Sequence, residues 1–352
     1  MAEVNQQMIA DKLALSKATV SRCFTNHAGI SPSTRARVFQ LAAEIGYKHL
    51  ENRSPAARTK TRQPKFTVLI CSDTEEYFRG GYESPGEEIL AGVSEYAQIH
   101  NIQMGVHFIP PTVTDLDDPV FRQIKELRSK ANRGVLLIYP FPESFVAQVA
   151  AKLPLVSLVE QQNSSAIDCV DVNHYDGISS VVDHLAQAGH KRIGFYTRDY
   201  AIEASWSFRR YGAFVEKMAR LRLKIHPKDV IGMFPGNVSS VPHGVQAVTT
   251  QTRDGVTAWI CAADHQAYDL IGGLKKEGLR VPRDVSVTGF DGIGKSSGAF
   301  PSLTTVEIPF RSIGMTGAER LAARIRKRFG GEQRVYISGN LRPGKTVASP
   351  KL

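Results

Sequence analysis

NQQMIADKLALSKATVSRCFTNHAGISPSTRARVFQLAAEIGY, residues 5–47, reads as three short helices with a tight turn between the first two. Ala10, Leu13, Leu15 and Val20 supply the apolar side of a helix pair too small to stand alone. Ser16 stands where an N-cap belongs, its side-chain oxygen placed to accept from an otherwise orphan amide of the next turn. The helix that follows runs from about Lys17 to Phe24 and turns Val20 and Phe24 inward, four residues apart. Its outer face carries Lys17, Ala18, Ser21 and Arg22, side chains small or polar enough to lie in a groove. Ser31 as N-cap and Pro32 at the first helical position open a third helix, which closes at Gly46 and buries Val38, Leu41, Ala42 and Ile45. An apolar-backed helix pair with a basic second helix fits a major groove about 12 Å wide, which is a helix-turn-helix reading. The bland alternative is a solvated three-helix bundle.

Charge supports the groove. Residues 1–65 hold 11 Lys or Arg against 4 Asp or Glu, whereas the whole chain of 352 residues is only +10. Positive charge is concentrated in the one segment shaped for a polyanion. The four cysteines are far apart, without metal-ligand spacing, and read as buried thiols in a reducing cytosol. The sequence shows neither a signal peptide nor an apolar run near the roughly 18 residues of a membrane span, so a cytoplasmic protein is expected.

The segments ADKLALSKATVSRCF, ISPSTRARV and AAEIGY resemble the DNA-binding headpiece of the lactose/galactose repressor family of bacterial transcription regulators. The register holds through some 43 residues, and later segments continue it almost to the chain's end. The resemblance implies that Lys17, Ala18 and Arg22 face base edges, that Ser16, Thr19, Ser21, Ser31 and Thr34 face phosphates, and that Gln6 joins the DNA-binding set. The chemistry is compatible: Arg forks onto guanine, Ala touches a thymine methyl, and hydroxyls donate to phosphate.

Residues 48–65, KHLENRSPAARTKTRQPK, lack apolar periodicity and form a linker. In the resembled family this segment becomes a hinge helix on DNA and wedges a Leu into the minor groove. Here Ala56 or Ala57 takes the Leu position and Pro55 stands inside the expected helix, so phosphate contacts by Arg and Lys are the firmer expectation.

From Phe66 onward, runs apolar throughout, such as FTVLIC, GVLLIY, RIGFY and TAWICA, alternate with amphipathic helical stretches. That alternation indicates parallel sheets covered on both faces. The expected fold is an all-α headpiece (1–47), the linker, and an α/β core (66–340) of two doubly wound, periplasmic-binding-protein-like subdomains, followed by a C-terminal tail (341–352). By resemblance one subdomain joins 66–160 to 292–325, the other joins 161–291 to 326–340, and a small polar effector, sugar-like, binds between them.

Within the core, SFRRYGAF at 207–214 places Arg209 three residues before Gly212, and the resemblance implies that it faces the effector, with Ser205 and Trp206 lining the same place. In the plainer reading Arg209 is a surface Arg on a helix, with its neighbour Arg210 equally placed. Asp291 matches a carboxylate that accepts from ligand hydroxyls, while Asp73 and Phe310 are further effector-site candidates. Where many relatives have Asn-Asp this chain has Ala263-Asp264, so one polar ligand contact is expected to be missing. GFDGIGKS (289–296) satisfies the Walker A pattern, but Gly298, Pro301 and β-branched residues follow instead of the helix that pattern requires. His190 reads as a turn residue. Two enzyme signatures are absent: there is no dinucleotide fingerprint after the first strand and there are no paired His ligands. The sequence therefore predicts a homodimeric regulator of palindromic operator DNA, a repressor without cofactor, metal or catalysis. The competing reading is a cytosolic small-molecule-binding protein with a non-functional headpiece.

Overall fold

The computed structural model describes residues 4–25, 27, 29–47, 64–72, 84–113, 115–122, 124, 127, 132–162, 167–198, 205–233, 241–294, 302–326 and 331–351. The chain forms two compact units. The first comprises Met1–Gly80, Ser84–Asp171 and Phe310–Val335; the second comprises Gly81–Glu83, Val172–Pro309 and Tyr336–Leu352. The chain thus changes unit near 171, 309 and 335, each some ten to twenty residues later than the sequence suggests.

Unit 1 begins with α1 (Gln6–Leu13), α2 (Lys17–Phe24) and α3 (Pro32–Glu44). Each is capped as its sequence dictates. Asn5 accepts from the amides of Gln7 and Met8, Ser16 from Thr19 and Ser31 from Thr34, at 3.0–3.1 Å. Ala14 takes a left-handed conformation (φ 52°) that closes α1 and makes the tight turn. Ile9, Ala10, Val20, Cys23, Val38 and Leu41 form the small core, and Phe24 packs edge-on against Phe39 with ring centroids 5.4 Å apart.

The rest of unit 1 is a six-stranded sheet in the order β11-β5-β4-β3-β1-β2, built from β1 (Lys65–Cys71), β2 (Gln103–Ile109), β3 (Asn132–Ile138), β4 (Leu155–Leu158), β5 (Asp168–Val172) and β11 (Arg334–Ile337). The pairs β1–β2, β1–β3, β3–β4 and β4–β5 are all parallel, as continuous apolar runs require. The helices are α4 (Pro85–Ile99), the short α5 (Pro119–Arg122), α6 (Glu143–Ala150) and α11 (Phe310–Ile325). Helices α4 and α11 meet at backbone contact: a Cβ on Gly92 would lie 1.9 Å from the Arg311 carbonyl oxygen, and one on Gly314 2.0 Å from that of Ile89. Only glycine permits that approach. Asp168, fully buried, ties β5 to α11 by accepting from Arg320 and Arg324, and its Oδ1 also accepts from the Gln333 amide at 2.8 Å.

Unit 2 holds a four-stranded parallel sheet in the order β7-β6-β8-β9, from β6 (Ile193–Tyr196), β7 (Val230–Ile231), β8 (Ala258–Cys261) and β9 (Ser286–Thr288). Helix α7 (His174–Gln187) packs on α8 (Ser205–Arg220), and α9 (Val241–Arg253) packs on α10 (Asp264–Lys276). Trp259, Tyr196, Leu270, Leu274 and Val287 anchor the core beneath α9 and α10. A two-stranded antiparallel ribbon joins β10 (Thr305–Glu307) to β12 (Asn340–Arg342). The C-terminal stretch is not a free tail. Val287 donates its amide to Thr346, Ser286 Oγ and Ala348 exchange hydrogen bonds at 3.1 Å, and Thr346 Oγ1 accepts from the Thr304 amide, so residues 344–348 continue the β9 side of the fold.

Candidate functional site

Two surfaces carry the chemistry. On the headpiece, Ser16, Lys17, Ala18 and Arg22 are exposed, while Gln6, Thr19 and Ser21 are half-buried along the same region. The inward face of α2 buries Val20 and Cys23 completely, so the helix cannot turn those outer residues away without exposing its core. The hydroxyls expected to meet phosphate also do local work: Ser16 Oγ lies 2.9 Å from Thr19 Oγ1, and Ser31 Oγ donates to Thr34 Oγ1 at 2.8 Å. They are pre-positioned at helix N-termini, where the amide dipoles favour an anion.

Arg35 is the residue that sequence reasoning missed here. It is 2% exposed, and its guanidinium donates to the Cys23 carbonyl at 2.9 Å and the His27 carbonyl at 2.7 Å, bracing the end of α2 against α3. Burial pushes it below the usual arginine range. One cation of the basic segment is therefore a strut, not a DNA contact.

The second surface is the C-terminal edge of the unit 2 sheet, where doubly wound sheets place ligands. Asp291 follows β9 with φ 117°, its amide donating to Val306 at 2.9 Å and its carbonyl accepting from Ile308 at 3.2 Å. The guanidinium that reaches it is that of Arg210, with Nη2 2.8 Å from Asp291 Oδ1. Arg210 also donates through Nε to His174 Nδ1 at 3.2 Å and through Nη1 to the Ala262 carbonyl. Its plane lies over Phe290 (3.9 Å) and Trp206 (4.6 Å). The last contact has a sequence signal: Trp206 and Arg210 stand four apart on α8. Because His174 accepts at Nδ1, its ring is neutral with the proton on Nε2.

Asp264, the acidic half of Ala263-Asp264, is buried under this edge. It accepts from Thr305 Oγ1 and from the Ile293 amide, both at 2.6 Å, and donates its own amide to Phe290 at 2.8 Å. It fastens the loop that presents Asp291. Burial, with Asp291 nearby, pushes Asp264 up to about 7, and burial raises Asp291 as well, against the pull of Arg210. The half-buried His265 is pushed down to about 3 by burial and by the charges of Arg198 and Arg210.

Of the other expected residues, Ser205 opens α8 half-buried, Trp206 joins the Arg210 cluster, and Arg209 is half-buried beside it. Phe310 is buried at the start of α11, in unit 1. Asp73 lies outside the described residues, as do the linker positions Pro55, Ala56 and Ala57. In the Walker-like stretch, the Ile293 amide is committed to Asp264 and Gly292 sits at φ 78°; Lys295 and Ser296 lie outside the described residues. His190, read as a turn residue, is buried with Nδ1 2.9 Å from Thr257 Oγ1. Cys23, Cys71, Cys169 and Cys261 are buried thiols, and Cys169 Sγ donates to the Glu160 carbonyl at 3.3 Å. Among the described residues, no cluster of three or more His, Cys, Asp or Glu is placed to hold a metal, and no helix is long and apolar enough to cross a membrane.

Comparison with known proteins connects the two surfaces. Residues 7–49 match the bacterial regulatory proteins, lacI family, and residues 182–347 match the periplasmic binding protein-like domain. Over 338 residues the chain is 26% identical to the HTH-type transcriptional repressor MelR of Bacillus subtilis (strain 168), covering 91% of each protein. The fold is similar to that of the Lac repressor dimer bound to operator and the anti-inducer ONPF, with TM-score 0.66 and 21% identity over 99% of this chain and 100% of the other. It is also similar to that of the transcriptional regulator CelR in its cellobiose complex, with TM-score 0.65 and 19% identity over 98% of this chain and 100% of the other.

Proposed function

The chain belongs to the lacI family of bacterial regulatory proteins, and from that premise we propose that it is a cytoplasmic transcription repressor whose affinity for a palindromic operator is switched by a sugar-like effector. The observation that carries the DNA half is the α2 face: exposed Lys17, Ala18 and Arg22 project from a capped helix whose opposite side is locked into the headpiece core. One headpiece covers a half-site only, so the working unit is a homodimer that reads two half-sites in register. Lys17, Ala18 and Arg22 read base edges; Gln6, Ser16, Thr19, Ser21, Ser31 and Thr34 hold backbone.

The effector half is supported by the polar edge of unit 2, where Asp291, Trp206 and Arg210 converge and Ser205 and Arg209 stand close in sequence on α8. Asp73 and Phe310 complete the proposed effector set. The fold relative in complex with cellobiose suggests the ligand class. No catalytic step is assigned to the chain.

Selection of bound fragments from random duplex DNA by the full chain tests the reading. The expected result is an inverted repeat with strong salt dependence. Recovery of no preferred sequence, together with melting shifts from small molecules, would favour the binding protein with an inactive headpiece.

A further inference from the structure

We infer that Arg210 is a specificity-determining residue: fixed against Asp291, it makes that carboxylate a charge-balanced acceptor for uncharged hydroxyl groups and excludes ligands that present an ammonium there. The inference rests on the reading that the Asp291 edge takes the effector, and it deepens that reading by naming which chemistry Asp291 accepts.

The guanidinium is not a side chain that happens to lie near. Two of its nitrogens donate to uncharged acceptors, His174 Nδ1 and the Ala262 carbonyl, and a third donates to Asp291 Oδ1 at 2.8 Å. Aromatic rings lie against it at 3.9 and 4.6 Å. With its side chain only 5% exposed and held by these contacts, Arg210 stays on Asp291, so a ligand meets the pair and not a bare carboxylate. A cation has a different fate from a hydroxyl at such a place. An ammonium hydrogen-bonded to Asp291 would lie within about two hydrogen-bond lengths of a permanent guanidinium, in a site too buried for water to screen them. A hydroxyl carries no charge to repel, and Arg210, hydrogen-bonded to the carboxylate, favours its anionic form against the upward push of burial. The other titratable groups facing the pair are His174 from α7 and Asp264 and His265 from α10. Asp264 is committed to Thr305 and Ile293, so it does not replace Arg210 as the partner of Asp291.

The test uses the full chain labelled with [γ-13C]aspartate, the Asp291 signal being assigned by its loss in Asp291→Asn. Asp291 should be ionised at neutral pH in wild type and in Arg210→Lys. In Arg210→Gln its titration midpoint should move up by one pH unit or more. In parallel, D-glucose, D-galactose and cellobiose are compared with D-glucosamine and D-galactosamine by melting shift and calorimetry. Wild type should bind a neutral sugar at least tenfold more tightly than its amino counterpart, and Arg210→Gln should narrow that ratio. An amino sugar bound by wild type as well as its neutral counterpart would overturn the inference without needing any variant. So would an Asp291 midpoint that Arg210→Gln leaves in place. Silence of the whole sugar panel with the NMR shift present would count against the sugar reading of the site and support the charge-fixing role of Arg210.

Discussion

Arg210 and Asp291 stand 81 residues apart in the chain and 2.8 Å apart in space, whereas Arg209, the neighbour singled out by sequence, is only half-buried. Adjacent residues on a helix point about 100° apart. Which of two arginines enters a site is therefore decided by how the helix packs.

The two arginines should separate by experiment. Asp291→Ala strands a buried guanidinium and should cost unit 2 about 3–5 kcal/mol of stability, the usual penalty for breaking a buried pair from one side. Arg209→Ala should cost about 1 kcal/mol or less, yet lose the response to effector: it retains operator binding if the effector is an inducer and looks permanently derepressed if it is a corepressor. Thermal melting reads the first effect, and effector titration of the DNA complex reads the second.

Arg22→Ala tests the groove-facing helix. Loss of a forked base contact should cost roughly 1–3 kcal/mol of operator affinity and relax a single base position. Lys60→Ala, in the linker, should instead weaken all sequences alike and lower the salt slope by about one. Equal, sequence-independent losses for both would remove the distinction between base reading and phosphate binding.

Arg35→Ala should look like neither. Two carbonyls, those of Cys23 and His27, lose a buried charged donor, and the headpiece should be destabilised by roughly 2–4 kcal/mol. Affinity for every DNA sequence should fall together with amide protection in α2 and α3, and Arg35→Lys should recover only part because one ammonium cannot reach both carbonyls as a fork does. Hydrogen exchange on the full chain is the measurement.

Much of this architecture was legible because local signals agreed with tertiary need. Ser16, Ser31 and Pro32 set helix starts that the structure keeps, and the apolar runs at 66–71, 193–196 and 258–261 are all buried parallel strands. What stayed hidden lacked such agreement. Helix α9, VPHGVQAVTTQTR, is rich in β-branched residues and carries Pro242 and Gly244, so its propensity argues against the helix that packing on α10 imposes. Strand β7 is only Val230–Ile231, too short for any periodicity. The C-terminal stretch was read as a tail because its hydrogen bonds to Ser286, Val287 and Thr304 are with residues some forty to sixty positions earlier. Arg35 is buried within a segment whose net charge alone does not say which of its cations points inward.

Asp168 should govern acid stability of unit 1. Burial pushes its carboxyl up, but hydrogen bonds from Arg324 and Arg320 and the Gln333 amide overcome this and hold it below the usual range. A depressed native pKa means that the stabilisation is present above the unfolded value near 3.9 and disappears as pH falls through the native one. Asp168→Asn should therefore lower the melting temperature at neutral pH and show a smaller further loss on acidification than wild type.

Asp264 should act in the opposite sense, and the substitution that shows it keeps the local geometry. Its native pKa is raised to about 7 by burial and by Asp291. The folded state therefore holds a proton that the unfolded chain has already released above about 4. Stability from this group is fully present below the unfolded pKa and is lost as pH rises from about 4 through about 7. Asn at 264 is neutral throughout. Its amide oxygen can accept from Ile293, and its NH2 can donate to Thr305 Oγ1 once that hydroxyl turns from donor to acceptor. Asp264→Asn should therefore melt close to wild type at pH 5 and above it at pH 8, flattening the downward slope of stability between. An unchanged slope would place the proton elsewhere in the Asp264, Asp291 and Arg210 cluster.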